Sequence, residues 1–221
     1  MNKIKIKEIF SSIQGEGPYV GEAHIFLRTT KCNLSCAYCD TDFLPDEKTK
    51  EYDFENLFNT LVKQSPQVLS LTGGEPLCEV EFFKEFLENY KEKLGKKIYL
   101  ETNGTKFNEL LKIIEFVDVI SMDIKLKSAT GLDLDFEVFD KFLNVATKKE
   151  TFVKVVFDEK IEELEIEKVL GLVKKYDVLL VLQPKMPMNF SFDYHLIYEK
   201  FYEKYKNVRL IPQVHKFLEV R

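Results

Sequence analysis

Residues 68–95 read VLSLTGGEPLCEVEFFKEFLENYKEKLG. The run from Val68 to Thr72 is almost wholly apolar, as in a strand buried on both faces. Gly73 and Gly74 follow, then Pro76, which suits the first turn of a helix. From Glu79 onward Phe82, Phe83, Phe86, Leu87, Tyr90 and Leu94 fall on one stripe at helical spacing. Gly95 stands where a C-terminal cap belongs. The stretch predicts a strand, a tight turn and an amphipathic helix.

The same unit recurs in both directions along the chain. Strand-like runs occupy residues 24–29, 98–102, 117–123, 151–157, 178–182 and 208–211. Helical patterns occupy residues 53–64, 107–116, 134–147, 160–175 and 192–206. Alternating strands and helices predict an α/β fold with a parallel sheet. About six repeats are too few for a closed eight-fold barrel, so a partial, open β/α barrel with about six parallel strands is expected. No linker interrupts the pattern, and residues 1–221 are expected to form one domain. Loops at the carboxyl ends of parallel strands are where such folds place their sites.

Composition narrows the classes further. Hydrophobic residues make up 45% of the 221 and charged residues 31%, with a net charge of −5. That balance argues against a nucleic-acid backbone as the main partner. No apolar run reaches the length of a membrane span. Residues 1–7 alternate Lys with Ile and read as a strand, not a signal peptide, so a cytoplasmic location is expected.

Three of the 4 cysteines fall in Lys31-Cys32-Asn33-Leu34-Ser35-Cys36-Ala37-Tyr38-Cys39-Asp40, just after the first strand of the repeat. Thiolates at this spacing suit three corners of an iron–sulfur cubane, which normally takes four protein ligands. Three local ligands leave one iron open to a small molecule. The alternative is a zinc site completed by His24 or Cys78. Cys78 by itself reads as a small buried hydrophobe.

The C-x3-C-x2-C spacing, with Tyr38 before the last cysteine, resembles the radical S-adenosylmethionine (SAM) superfamily. The resemblance implies a [4Fe-4S] cluster on Cys32, Cys36 and Cys39 and SAM on its open iron. The cluster would cleave SAM to a 5′-deoxyadenosyl radical, with no side chain needed as acid or base. It also implies SAM contacts from Tyr38, from the Gly73-Gly74-Glu75-Pro76 turn, and from Asn103, Ser121, Lys125 and Gln183 at later strand ends. Asp123 reads alternatively as an ion-pair partner of Lys125.

Two further stretches, Phe10-Ser11-Ser12-Ile13-Gln14-Gly15-Glu16-Gly17-Pro18 and Cys39-Asp40-Thr41-Asp42-Phe43, are together with Arg28 similar to the 7-carboxy-7-deazaguanine synthase family. That resemblance implies conversion of 6-carboxy-5,6,7,8-tetrahydropterin to 7-carboxy-7-deazaguanine with loss of ammonia, on the route to queuosine and other deazapurines. It implies Mg²⁺ at the substrate carboxylate with Thr41 as a ligand, and a homodimer. A flavodoxin or ferredoxin is the expected electron donor.

The side chains suit these roles. Gln14 and Glu16 offer donor and acceptor groups to a pterin edge. Gly15 lets the loop fold over a flat ligand, and Arg28 can hold a carboxylate in a planar fork. Thr72, Gln213 and His215 are further candidates for the substrate pocket, with His215 expected on a short terminal strand. A plain hairpin turn at residues 13–21 and a surface ion pair for Arg28 are the bland alternatives. Competing functions are a glycyl-radical enzyme activase and a non-catalytic zinc-stabilised binding protein.

Overall fold

The computed structural model describes residues 3–39 and 48–220. Their strands are β1 (Ile4–Ile13), β2 (Ala23–Thr29), β3 (Lys50–Tyr52), β4 (Val68–Gly73), β5 (Lys97–Thr102), β6 (Val119–Ile124), β7 (Glu150–Phe157), β8 (Leu179–Pro184) and β9 (Val208–Leu210). They form one sheet in the order β3-β1-β2-β4-β5-β6-β7-β8-β9. β1 pairs antiparallel with β2 and β3, and every neighbour from β2 to β9 is parallel. All seven apolar runs thus become parallel strands, one more than the repeat count suggests. β9 closes the series as a strand without a crossover to a further one. β3 and β9 are the two edges, so the barrel is open.

The helices are α1 (Phe54–Val62), α2 (Val80–Leu94), α3 (Phe107–Ile113), α4 (Lys127–Thr130), α5 (Phe136–Ala146), α6 (Glu163–Tyr176), α7 (Tyr194–Lys204) and α8 (Val214–Phe217). α2 buries the stripe Phe82, Phe83, Phe86, Leu87 and Tyr90. It ends on Gly95 at φ 61°, whose N–H reaches Lys91 O at 2.9 Å. No helix among the described residues is long and apolar enough to cross a membrane.

Strand alternation divides the molecule into two faces. Ile25, Leu27, Leu69, Leu71, Ile98, Leu100, Val153 and Val155 pack outward against the helices in the main core. The other face lines the barrel interior. Its lower half is apolar, with Tyr99, Val119, Phe152 and Val181 packed together against Tyr19. Its upper half is polar and carries Arg28, Thr72, Glu101, Asp123, Lys154 and Gln183.

β1 runs on to Ile13, further than residues 1–7 suggest, and it carries a bulge. The register with β2 shifts between Ile6 and Glu8. One extra residue exchanges the faces of a strand. Ile4 and Ile6 therefore join the helix-side core, while Phe10 reaches the interior. The expected terminal strand around His215 is instead the short helix α8. Ile211 N still donates to Leu182 O at 3.0 Å, but Pro212 has no N–H to continue the ladder.

Candidate active site

The cysteine loop leaves the carboxyl end of β2 and is pinned on both sides. Ala37 N donates to Thr130 O at 2.9 Å, and Glu75 N donates to Lys31 O at 2.7 Å. The Gly73-Gly74 turn is what allows the second contact. Gly73 has φ +117°, and a Cβ there would stand 2.4 Å from Thr29 N. A Cβ on Gly74 would stand 2.1 Å from Lys31 O and 2.9 Å from Cys32 Cβ. The glycines thus admit the backbone of the cysteine loop.

Cys32, Cys36 and Cys39 line one cavity of about 140 Å³. Cys78 lies on the turn after Glu75, outside that lining, and burial pushes its thiol up to about 11. His24 sits at the amino end of β2, four positions before Arg28, so roughly 13 Å of extended strand separates it from the site end. The zinc alternative therefore loses His24, and Cys78 does not line the cavity that the other three cysteines share. Three thiols on one pinned loop, facing a cavity with no fourth cysteine among its described lining residues, suit a cluster with one open iron.

A second cavity of about 220 Å³ adjoins the first. Tyr38, Thr72, Glu101, Asp123, Lys125 and Lys154 line both. The second is walled in part by the loop between β1 and β2 and by the C-terminal tail. Every residue expected to bind substrate lines it: Gln14, Gly15, Glu16, Arg28, Thr72, Gln213 and His215. The β1–β2 loop is also the hairpin of the bland reading, closed by Gln14 N to Glu22 O at 2.7 Å and Gly21 N to Gln14 O at 2.8 Å.

Many of these groups hold one another. Glu101 accepts from Gln14 Nε2 at 3.0 Å and from Thr72 Oγ1 at 2.6 Å. Gln14 Oε1 accepts from Glu16 N at 3.1 Å, so both ends of that amide have protein partners. Glu16 forms an ion pair with Lys154 and accepts from Gln213 Nε2 at 2.6 Å. Burial opposes the charge on Glu16, but Lys154 and Gln213 outweigh it and bring the carboxyl down to about 2. Arg28 Nε donates to Glu8 at 2.9 Å, so the ion pair of the bland reading exists on a residue that also lines the cavity.

The residues expected around SAM divide. Tyr38, Gly73, Gly74, Asn103, Ser121 and Lys125 line the cysteine-side cavity. Lys125 Nζ donates to Tyr38 at 3.0 Å and to Asp123 at 2.9 Å, which bears out the alternative reading of Asp123 as its ion-pair partner. Asn103 ties β5 to the cysteine loop, with Nδ2 donating to Asn33 at 3.0 Å. Glu75, in contrast, lies beneath the cavity floor, fully buried. It accepts from Asn103 N at 2.7 Å, Leu77 N at 3.1 Å and Thr102 Oγ1 at 2.9 Å. Burial still pushes its carboxyl up to about 7. Gln183 lines the second cavity instead, because its side chain points inward from β8, beside Val156 of β7. Thr41 lies outside the described residues.

Sequence patterns place Glu101 only generally, among polar residues at the end of a strand, and miss Lys154. A lysine in the middle of the apolar run Thr151-Phe152-Val153-Lys154-Val155-Val156-Phe157 is the signal that marks it, since lysine is rarely buried unpaired.

Comparison with known proteins identifies relatives along nearly the whole chain. A family model described as a 4Fe-4S single cluster domain matches residues 13–134. The 7-carboxy-7-deazaguanine synthase of Geobacter sulfurreducens is 32% identical, over 97% of this chain and 96% of its own length. That of Archaeoglobus fulgidus is 34% identical over 97% of each. Among solved structures, QueE from Escherichia coli matches with a TM-score of 0.69 over 96% of this chain and 95% of that one; at 21% identity this is a likeness of fold. Relatives sharing one name match nearly the whole of the sequence, and the chain belongs to the 7-carboxy-7-deazaguanine synthase family.

Proposed function

We propose that this chain is a radical SAM lyase that converts 6-carboxy-5,6,7,8-tetrahydropterin to 7-carboxy-7-deazaguanine with loss of ammonia, acting as one domain over residues 1–221. The observation that carries the reading is the shared wall between the cysteine-lined cavity and the polar cavity beside it. A radical is useful only if its target is held within reach and away from water. When bound by Cys32, Cys36 and Cys39, the cluster with SAM would supply hydrogen-atom abstraction at the pterin carbon bearing the carboxylate.

The chain's own residues bind and orient. Glu16 offers an acceptor to the donor edge of the pterin, and Arg28 a planar cation to its carboxylate. Phe10 and Phe26, stacked at 5.1 Å in the same cavity wall, supply apolar surface beside a flat ring. Glu101, fixed by Thr72 and Gln14, adds a second acceptor. A flavodoxin or ferredoxin as electron donor, Mg²⁺ with Thr41 as a ligand, a homodimer and a cytoplasmic location belong to the same reading.

The test is anaerobic incubation of reconstituted protein with SAM, Mg²⁺, reductant and the carboxypterin, with mass detection of the deazaguanine. Cleavage of SAM without any deazaguanine would sink the substrate assignment. A Thr41→Ala variant should need more Mg²⁺ for the same rate.

A further inference from the structure

Lys154 projects from the middle of β7 into the barrel interior, with its side chain 8% exposed. It lines both cavities and forms an ion pair with Glu16, while Asp123 Oδ2 lies 3.6 Å away on the neighbouring strand. Glu16 comes from a hairpin loop, an element that by itself fixes a side chain poorly. Lys154 comes from a central strand, whose backbone is held on both sides by β6 and β8. The second Glu16 oxygen is held by Gln213 of the tail. A carboxylate has about four lone-pair sites, so these two donors leave acceptor capacity for a ligand in the cavity that Glu16 lines.

The geometry points to Lys154 as a positioning residue for substrate recognition, which anchors Glu16 to the rigid sheet and keeps it a charged acceptor at the cavity wall. The inference rests on the carboxypterin reading of the cavity. It makes pterin affinity depend on an ammonium that acts through a carboxylate on a different element.

Charge supports the assignment. Glu16 faces Lys154 from β7, Gln213 and His215 from the tail, and Tyr99 from β5; Asp123 and Glu101 face Lys154 from β6 and β5. Burial opposes the charge on Lys154, but Glu16, Asp123 and Glu101 together hold its ammonium above the ordinary lysine range. Without Lys154, burial of Glu16 would lose its main counterweight, and the carboxyl would rise towards the neutral form. A neutral carboxyl presents an O–H in place of an acceptor, which meets a pterin donor badly.

The test is equilibrium binding of the carboxytetrahydropterin to cluster-loaded, unreduced enzyme with SAM, between about pH 5 and about pH 8. Lys154→Met should bind about tenfold more weakly or worse, and the deficit should grow as pH falls. Lys154→Arg keeps the charge and should stay within a few-fold of wild type at every pH. Lys154→Met combined with Glu16→Gln should bind no worse than Glu16→Gln alone, because Lys154 acts through Glu16. If Lys154→Met fails to fold, the arginine variant and the double variant carry the test. Additive losses in the double variant, an Lys154→Met deficit independent of pH, or an arginine variant as impaired as the methionine one would each overturn the inference. Wild type that does not bind the pterin overturns the substrate reading itself. Wild type that binds it, with Lys154 variants that bind equally well, overturns only the role of Lys154.

Discussion

Gln14 reaches from the β1–β2 loop to Glu101 at the end of β5, donating from Nε2 to Oε1 over 3.0 Å. The contact ties two walls of the second cavity together, and Thr72 holds the other Glu101 oxygen at 2.6 Å. A hydrogen bond to a charged group is worth about 1.5–3 kcal/mol. Gln14→Glu replaces the donor by a second carboxylate at the same place. Pterin affinity should fall roughly ten- to a hundredfold at neutral pH, and should partly recover in mild acid, where the two carboxyls can share a proton. A Gln14→Glu variant with wild-type affinity at all pH values would show that the loop is held by other contacts.

The cluster assignment is tested one cysteine at a time. Cys32→Ala, Cys36→Ala and Cys39→Ala should each lose iron and the visible charge-transfer band after reconstitution. Cys78→Ala should retain both, because Cys78 lies outside the cavity that the other three line. A Cys78→Ala protein as colourless as the others would remove the open iron from the reading.

The tail and the hairpin loop are in direct contact at Gly15. Val214 N donates to Gly15 O at 2.9 Å, and a Cβ on Gly15 would stand 2.1 Å from His215 Nδ1 and 2.6 Å from His215 Cβ. Gly15→Ala should therefore displace the tail and weaken pterin binding. Adding His215→Gly removes the clashing atoms and should restore loop packing, read as recovery of the melting temperature lost by Gly15→Ala. If the second substitution only deepens the loss, the two segments do not meet in solution as they do here.

His24 gives the stability of the protein a pH dependence of known sign. It is fully buried below the site, with Nδ1 2.7 Å from Ser70 Oγ. The half-exposed Glu22 stands 4.0 Å from Nε2. Burial pushes the imidazole down to about 4. The unfolded chain takes up this proton near pH 6.5, and the folded chain does not until about 4. The contribution is fully present above pH 6.5 and is lost as pH falls towards 4, by about 3 kcal/mol at most. Urea midpoints of wild type should decline across that window more steeply than those of His24→Gln. Parallel declines would mean that another group dominates.

Local patterns are legible before folding, and they carried a good deal here. Runs of Val, Ile, Leu and Phe marked each parallel strand to within about two residues, because burial on both faces leaves little choice of side chain. The stripe on α2 and the cap at Gly95 were equally direct. Three cysteines in one loop were visible as a cluster site, since their spacing is a property of a single segment.

Other features needed the chain to be closed in space. The bulge at Ile6/Glu8 exchanges the faces of β1, and no residue type announces it. Glu75 looked like a ligand of the cofactor and is a buried acceptor that braces the turn beneath it. Gln183 faces the second cavity, a choice made by strand register. The bonds Gln14–Glu101, Glu16–Lys154 and Glu16–Gln213 join residues 87, 138 and 197 positions apart. Sequence by itself determined the seven parallel strands, the longer helices between them and the cluster loop, because each depends on a short-range period or spacing. Tertiary structure alone decided which charges meet in the interior, because a side chain's partner there is set by register and by the packing of distant segments.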